Sequence, residues 1–283
     1  MATPHESGHT DRVTAVPTTA ARDASFGRAL RTWRVRRRLS QLELALAADV
    51  SARHISFVET GRATPSRAMV LRLADALGVP ARARNELLLA AGLAPAYPER
   101  RLDHPDLAAV RAGLDRVLAA HEPFPCVAVD RGWDVVATNA AAGVLLEGVS
   151  PALLERPNAL RIALHPDGLA RRIVNLGPWR HHLLGRLRRE VSAGAEPALR
   201  ELLAELESLP GPEEVASDSA VVAVELEICT ARGVSLRLLN TVTTFGTALD
   251  PTAAELSVET FLPADDATAA ALVCLATTSE RST

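Results

Sequence analysis

Residues 39–62, LSQLELALAADVSARHISFVETGR, constrain the fold more than any other stretch of the chain. Leu42, Ala45, Leu46, Val50, Ile55 and Val58 supply apolar positions in two short helical blocks, with a tight turn at Asp49-Val50 between them. Ser40 and Ser51 stand where a hydroxyl can accept a free N–H from the first turn of each helix. Gly61 then ends the second block. In a helix, tight turn, helix arrangement the second helix can enter the major groove of a duplex while the first crosses its backbone.

The distribution of charge supports that geometry, although the net charge of the 283-residue chain is only −3. Residues 26–67 hold nine Arg and three acids (Glu43, Asp49, Glu59), a local net of +6 that leaves −9 for the remainder. A basic first module joined to an acidic remainder is expected when one domain alone meets phosphate. All 31 basic residues are Arg, as in products of GC-rich genomes, so the Arg count by itself is discounted. Cys126, Cys229 and Cys274 are odd in number and widely spaced, which suits neither a disulfide framework nor a zinc site. No signal peptide and no run of about 18 uncharged apolar residues is present. The expectation is a soluble cytoplasmic protein, nucleoid-associated when on DNA.

Five helices are expected in the first module: 25–37, 41–48, 52–60, one opened by Ser66 with Met69, Val70, Leu73, Ala74 and Leu77 as its stripe, and 81–91. Residues 1–24 and 277–283 read as disordered tails, 25–92 as the DNA-binding domain, and the proline-bearing 93–106 as a linker. From 107 to 276 the pattern changes. An amphipathic helix covers 106–120, a hairpin turns at Arg131-Gly132, and Asn139 caps a short helix over 140–147. Residues 169–191 and 197–208 are helical in pattern, with Gly177-Pro178 expected to kink or divide the first. Three strands follow, at 222–228, 234–245 and 254–262, then a helix at 264–275. These elements predict one five-stranded antiparallel sheet with helices against one face, a layout that often encloses a small-molecule cavity.

The window from Leu39 through Ser66 resembles the XRE (Cro/repressor-like) helix-turn-helix class. RLADALGVPARARNELLLAAGLAPAY, PCVAVDRGWDVVATNAAA, ALHPDGLARRIVNL and LLNTVTTFGTALDPTAAELSVETFLPADDATA resemble, more narrowly, the MmyB-like regulators, in order over about 26–273. The resemblance implies a multidomain α and α+β chain: a five-helix repressor-like domain, then a PAS-like antiparallel sheet with flanking helices that binds a ligand. A fatty-acid-like molecule is the leading ligand it implies. Asp49 departs from the pattern, since Gly is more usual in that turn.

At the DNA site, Ser40 caps the second helix and Gln41 can hydrogen-bond a phosphate. Ser51 caps the third helix first and contacts DNA second. Ala52, Arg53, Ser56 and Phe57 face outward, and Arg53 has the fork that pairs with guanine O6 and N7. Ala52 and Phe57 can make only apolar contacts, such as with a thymine methyl, while His54 meets the backbone. Arg62 and Arg67 are expected on phosphates. The run from Arg34 to Arg38 fits a solvated helix end as well as a DNA contact.

For a ligand, Trp133, Trp179 and Phe245 are either core or pocket wall. His165 either meets a ligand or caps a turn. Arg172, with Arg161 and Arg171, either neutralises a ligand carboxylate or is exposed. His181-His182 point about 100° apart on a helix and do not suit one ion. No P-loop, G-x-S-x-G or H-E-x-x-H spacing occurs, so no enzyme, cofactor or metal is expected. The reading is a ligand-responsive regulator that binds operator DNA as a homodimer, paired through its second domain, with no membrane partner. The alternative is a second domain that only dimerises or binds a protein partner.

Overall fold

The computed structural model describes residues 19–193, 197–212, 224–245 and 250–280. It divides into two compact units between Pro98 and Glu99. The first is a bundle of α1 (Thr19–Arg36), α2 (Gln41–Ala47), α3 (Ala52–Glu59), α4 (Arg67–Ala76) and α5 (Ala81–Ala90). Phe26, Leu30, Leu44, Ile55, Val58, Val70, Leu73, Leu87 and Leu88 form its core.

Capping explains where α2, α3 and α4 start. Ser40 accepts from the Glu43 N–H while Glu43 reaches back to the Ser40 N–H, a reciprocal capping box. Ser51 and Ser66 accept from the His54 and Met69 N–H groups. Asp49 takes φ 52, the left-handed region the departure from Gly implied; its short polar side chain tolerates that better than most.

Several expectations are corrected in this unit. Leu42 and Leu46 are 60% and 74% exposed, and Leu44 and Ala48 take the core positions instead. The helical period admits either register, and contact with α3 and α4 selects the second. α1 already includes Thr19, ahead of the expected start at 25, and the Ala-rich segment before Phe26 contains no helix breaker; residues 1–18 of the expected tail lie outside the described residues. Much of the expected linker is packed. Buried Asn85 accepts from the Ala96 and Tyr97 N–H groups and donates to the Tyr97 carbonyl, while Leu102 joins a core of the second unit.

The second unit opens with a 3₁₀ turn at Pro105–Leu107 and α6 (Ala108–Ala120). β1 (Cys126–Val129) and β2 (Val135–Thr138) form the expected hairpin. Asn139 caps a 3₁₀ turn leading into α7 (Gly143–Leu146), followed by α8 (Pro151–Leu154) and α9 (Ala159–Leu164). Next come α10 (Leu176–Ser192), α11 (Pro197–Ser208), β3 (Glu225–Cys229), β4 (Ser235–Thr244), α12 (Pro251–Ala254), β5 (Ser257–Pro263) and α13 (Asp266–Glu280). The five strands form one antiparallel sheet in the order β2-β1-β5-β4-β3, with helices packed around it, a PAS-like domain.

The sheet is covered on both faces, not one. Val129, Leu226, Ile228, Leu236 and Leu238 share a core with Trp179, Leu184 and Leu187 of α10 and Leu202 and Leu206 of α11. Cys126, Ala128 and Val258 share another with Leu114 and Leu118 of α6. The run Cys-Val-Ala-Val in β1 has no polar alternation, as two-sided burial demands. Gly177-Pro178 neither kinks nor divides α10. Both sit in its first turn, where proline lacks only an N–H that had no helical partner. The break comes just before, where Asn175 bonds the Glu225 carbonyl and the Glu227 N–H of β3. β5 starts later than expected because Asp250-Pro251 nucleates α12. α13 runs on to Glu280, so the expected tail from 277 is helical up to that point. Part of the expected strand from 222 lies outside the described residues.

Candidate DNA interface and ligand cavity

α3 is set into the first unit by its buried Ile55 and Val58, which leaves Ser51, Arg53 and Arg62 exposed and Ala52, His54, Ser56 and Phe57 partly so. The Arg53 guanidinium lies 5.1 Å from the Phe57 ring centre, one helical turn on, so Phe57 braces the long side chain. Thr60 donates to the Ser56 carbonyl, and Gly61 at φ 70 turns the chain away.

Beneath α3 lies a group that the sequence pattern does not reveal. Arg34 grips Glu59 through Nε and Nη2 at 2.6 and 2.9 Å, and Gln41 Nε2 donates to the same carboxylate at 2.8 Å. The Glu59 and Arg34 side chains are 3% and 11% exposed. Burial pushes the Glu59 carboxyl up, but the Arg34 and Gln41 hydrogen bonds and the Arg34 charge outweigh it and hold it below the ordinary range. One amide N–H of Gln41, the expected phosphate ligand, is therefore already engaged. The one signal available was a lone acid ending a helix in an Arg-rich segment.

Other arginines of the segment serve the bundle. Arg37 donates to the Leu77 and Gly78 carbonyls, fastening the end of α1 to the end of α4. Arg67, expected on phosphate, instead donates to the Ala94 and Pro95 carbonyls. Arg36 and Arg38 are exposed.

In the second unit, α7, α8, α9 and α10 stand off the sheet and enclose a cavity of about 390 Å³. Leu145, Leu146, Leu154, Leu160, Ile162, Leu169 and Leu183 line it from the helical side, and Val127, Val135, Leu226 and Phe261 from the sheet. Of the expected ligand residues, Trp133 and Trp179 are on the wall. Phe245 packs near Gly113 of α6 on the opposite face of the sheet. His165 caps a turn, its Nδ1 accepting from the Asp167 N–H at 3.0 Å. Arg172 bonds Glu147 and the Val144 carbonyl and is not on the wall; its Nε has no partner among the described residues. Arg161 is held bidentate by Glu205.

Trp133 occupies φ 65 in the β1–β2 turn, a strained conformation for a bulky residue. Its ring is fixed from two sides: Nε1 donates to Glu190 at 2.9 Å, and the Arg186 guanidinium lies 4.4 Å from the ring centre. Arg186 also forks onto Glu259 at 2.9 and 3.1 Å, and Asn240 Nδ2 donates to Glu259 at 3.0 Å. Burial is the main force raising the Glu190 carboxyl above its usual range. His182 stacks on Trp179 with ring centres 5.5 Å apart, and burial followed by the Arg186 and Arg189 charges holds its imidazole below the ordinary value. Sequence reading missed Glu259 because the alternation Leu256, Val258, Thr260, Leu262 marked the other side of β5 as the buried one. With both faces covered, Glu259 and Phe261 point to the cavity.

Among the described residues, no three His, Cys, Asp or Glu side chains gather as a metal site, and no helix is long and apolar enough to cross a membrane.

Two family models match the chain, a helix-turn-helix domain over residues 25–87 and the MmyB-like transcription regulator ligand binding domain over 110–275, more than half of its length. Among solved structures, the restriction-modification controller protein C.AhdI from Aeromonas hydrophila is 32% identical, over 22% of this chain and 94% of that one, at a TM-score of 0.21. The clp gene regulator ClgR from Corynebacterium glutamicum is 30% identical, over 25% and 88%, at a TM-score of 0.23. No curated protein matches significantly. With a helix-turn-helix module ahead of that ligand-binding domain, the chain belongs to the MmyB-like transcription regulators.

Proposed function

We propose that the protein is a ligand-responsive transcription factor whose first unit grips operator DNA through α3 and whose second unit senses a small apolar or amphipathic molecule, fatty-acid-like in its hydrocarbon part. The observation that carries this reading is the 390 Å³ cavity, walled chiefly by leucine, isoleucine, valine and tryptophan, in the ligand-binding unit. In the first unit, Arg53 is exposed, braced on Phe57 and, among the described residues, engaged by no acid, ready for a guanine edge. Arg62 flanks it as a phosphate contact. The ligand acts by binding the DNA-competent and incompetent states with different affinity. Operator half-sites arranged as an inverted repeat would be met by a homodimer, with the second unit supplying the contact.

The test is capture of fragmented chromosomal DNA by the full-length protein at moderate ionic strength, with and without a lipid extract. Enrichment of a few fragments that changes with the extract supports the reading. No preference among fragments overturns the DNA half. Enrichment indifferent to every extract fraction overturns the sensing half, leaving a second unit that only dimerises or binds a protein partner.

A further inference from the structure

The charge inventory of the cavity specifies its occupant more closely than its size does. Glu259 is the one ionisable side chain on the wall among the described residues, and it is 4% exposed. Among the described residues, no Arg or His lines the cavity. Arg186, the cation bonded to Glu259, is committed: two of its nitrogens bond Glu259, its Nε lies 3.4 Å from Glu190, and its plane rests on Trp133. Glu190 in turn accepts from Trp133 Nε1. Two carboxylates therefore share one guanidinium beside the cavity. An ionised head group entering here would shed its water, meet Glu259 and find no positive charge to pair with on the wall formed by the described residues. Neutral polar groups fare differently, because the Thr138 hydroxyl and the Asn240 amide on the wall can hydrogen-bond an alcohol, ester or amide.

We infer that the cavity selects neutral lipophiles, an alkyl chain bearing a hydroxyl, ester, lactone or amide group, and discriminates against the same chain bearing a carboxylate. This rests on the ligand-sensing reading above and narrows its fatty-acid-like occupant to an uncharged derivative.

The experiment compares 1-decanol with decanoate, matched in chain length, by calorimetric titration into the full-length protein at pH 8, where the acid is ionised. Decanol is expected to bind at least about tenfold more tightly. Decanoate binding equally or better overturns the inference and leaves ligand sensing standing. If neither binds up to its solubility limit, the sensing reading falls and the inference with it. Glu259→Gln removes one of the two carboxylates at nearly constant shape, so the decanol preference should shrink towards unity as decanoate tightens. A preference that stays tenfold in a folded Glu259→Gln protein refutes the charge account.

Discussion

Glu59→Gln is the sharpest probe of how the first unit is held together. The carboxylate receives two N–H bonds from Arg34 and one from Gln41, and both members of the ion pair are nearly fully buried. The amide keeps one oxygen but turns an NH₂ towards donors, leaving part of the Arg34 guanidinium charged, dry and unmatched. Breaking a buried pair by removing one partner costs roughly 3–5 kcal/mol. Arg34 retains the Leu39 carbonyl at 2.8 Å, so we place the cost near the lower bound, about 3 kcal/mol. Urea denaturation followed by far-ultraviolet dichroism should show the unfolding of the first unit moved to lower denaturant while that of the second stays in place. Arg34→Met in the Glu59→Gln background should cost less than the sum of the single changes, because the stranded charge is gone. A shift below about 0.5 kcal/mol, the size of an ordinary surface substitution, would refute the view that this pair organises the bundle.

A Cβ at Gly27 would stand 2.5 and 2.6 Å from the Glu59 and Val58 carbonyl oxygens, so Gly27→Ala should destabilise the first unit by about 1–3 kcal/mol in the same titration. Asp49→Gly should relieve the left-handed turn and stabilise that unit by about 0.5–1 kcal/mol, read as a raised midpoint. Burial depresses the His182 imidazole, so below pH 6.5 the unfolded chain takes up its proton first; the second unit should lose melting temperature as pH falls through and below that value, and His182→Phe should flatten the dependence. Arg53→Ala should weaken operator binding by about 1–3 kcal/mol in fluorescence anisotropy and relax choice at one base pair, with no change in melting beyond a few tenths of a kcal/mol. Unchanged selectivity would mean that α3 docks in another orientation.

The starts of α2, α3 and α4 were legible because capping is local: a serine hydroxyl bonds an N–H three residues on, and nothing distant is needed. The same holds for the β1–β2 hairpin and the Asn139 cap. What stayed hidden depends on partners far along the chain. Glu59 finds Arg34 across 25 residues and Glu259 finds Arg186 across 73, and no periodicity announces either. Leu42 and Leu46 were misassigned because a seven-residue helix is too short for its pattern to choose a face unaided. Chemistry alone leaves Phe245 as core or pocket wall; which side of a sheet a residue takes depends on register, and the sequence does not show that α6 covers the second face. Trp133 and Trp179 meet both alternatives left open by the sequence, since each is buried in the core and also borders the cavity.

The placement of these rings has a practical consequence. The chain has three tryptophans: Trp33 lies beneath Arg36 and Arg37 in the DNA module, whereas Trp133 and Trp179 both border the cavity. Trp33→Phe would therefore confine the intrinsic tryptophan emission to the sensing unit, and quenching or a colour shift on adding a compound would report occupancy without any dye. In the unaltered protein, Trp33 adds an optical signal from the helix that anchors Glu59, so a single spectrum samples both halves of the regulator.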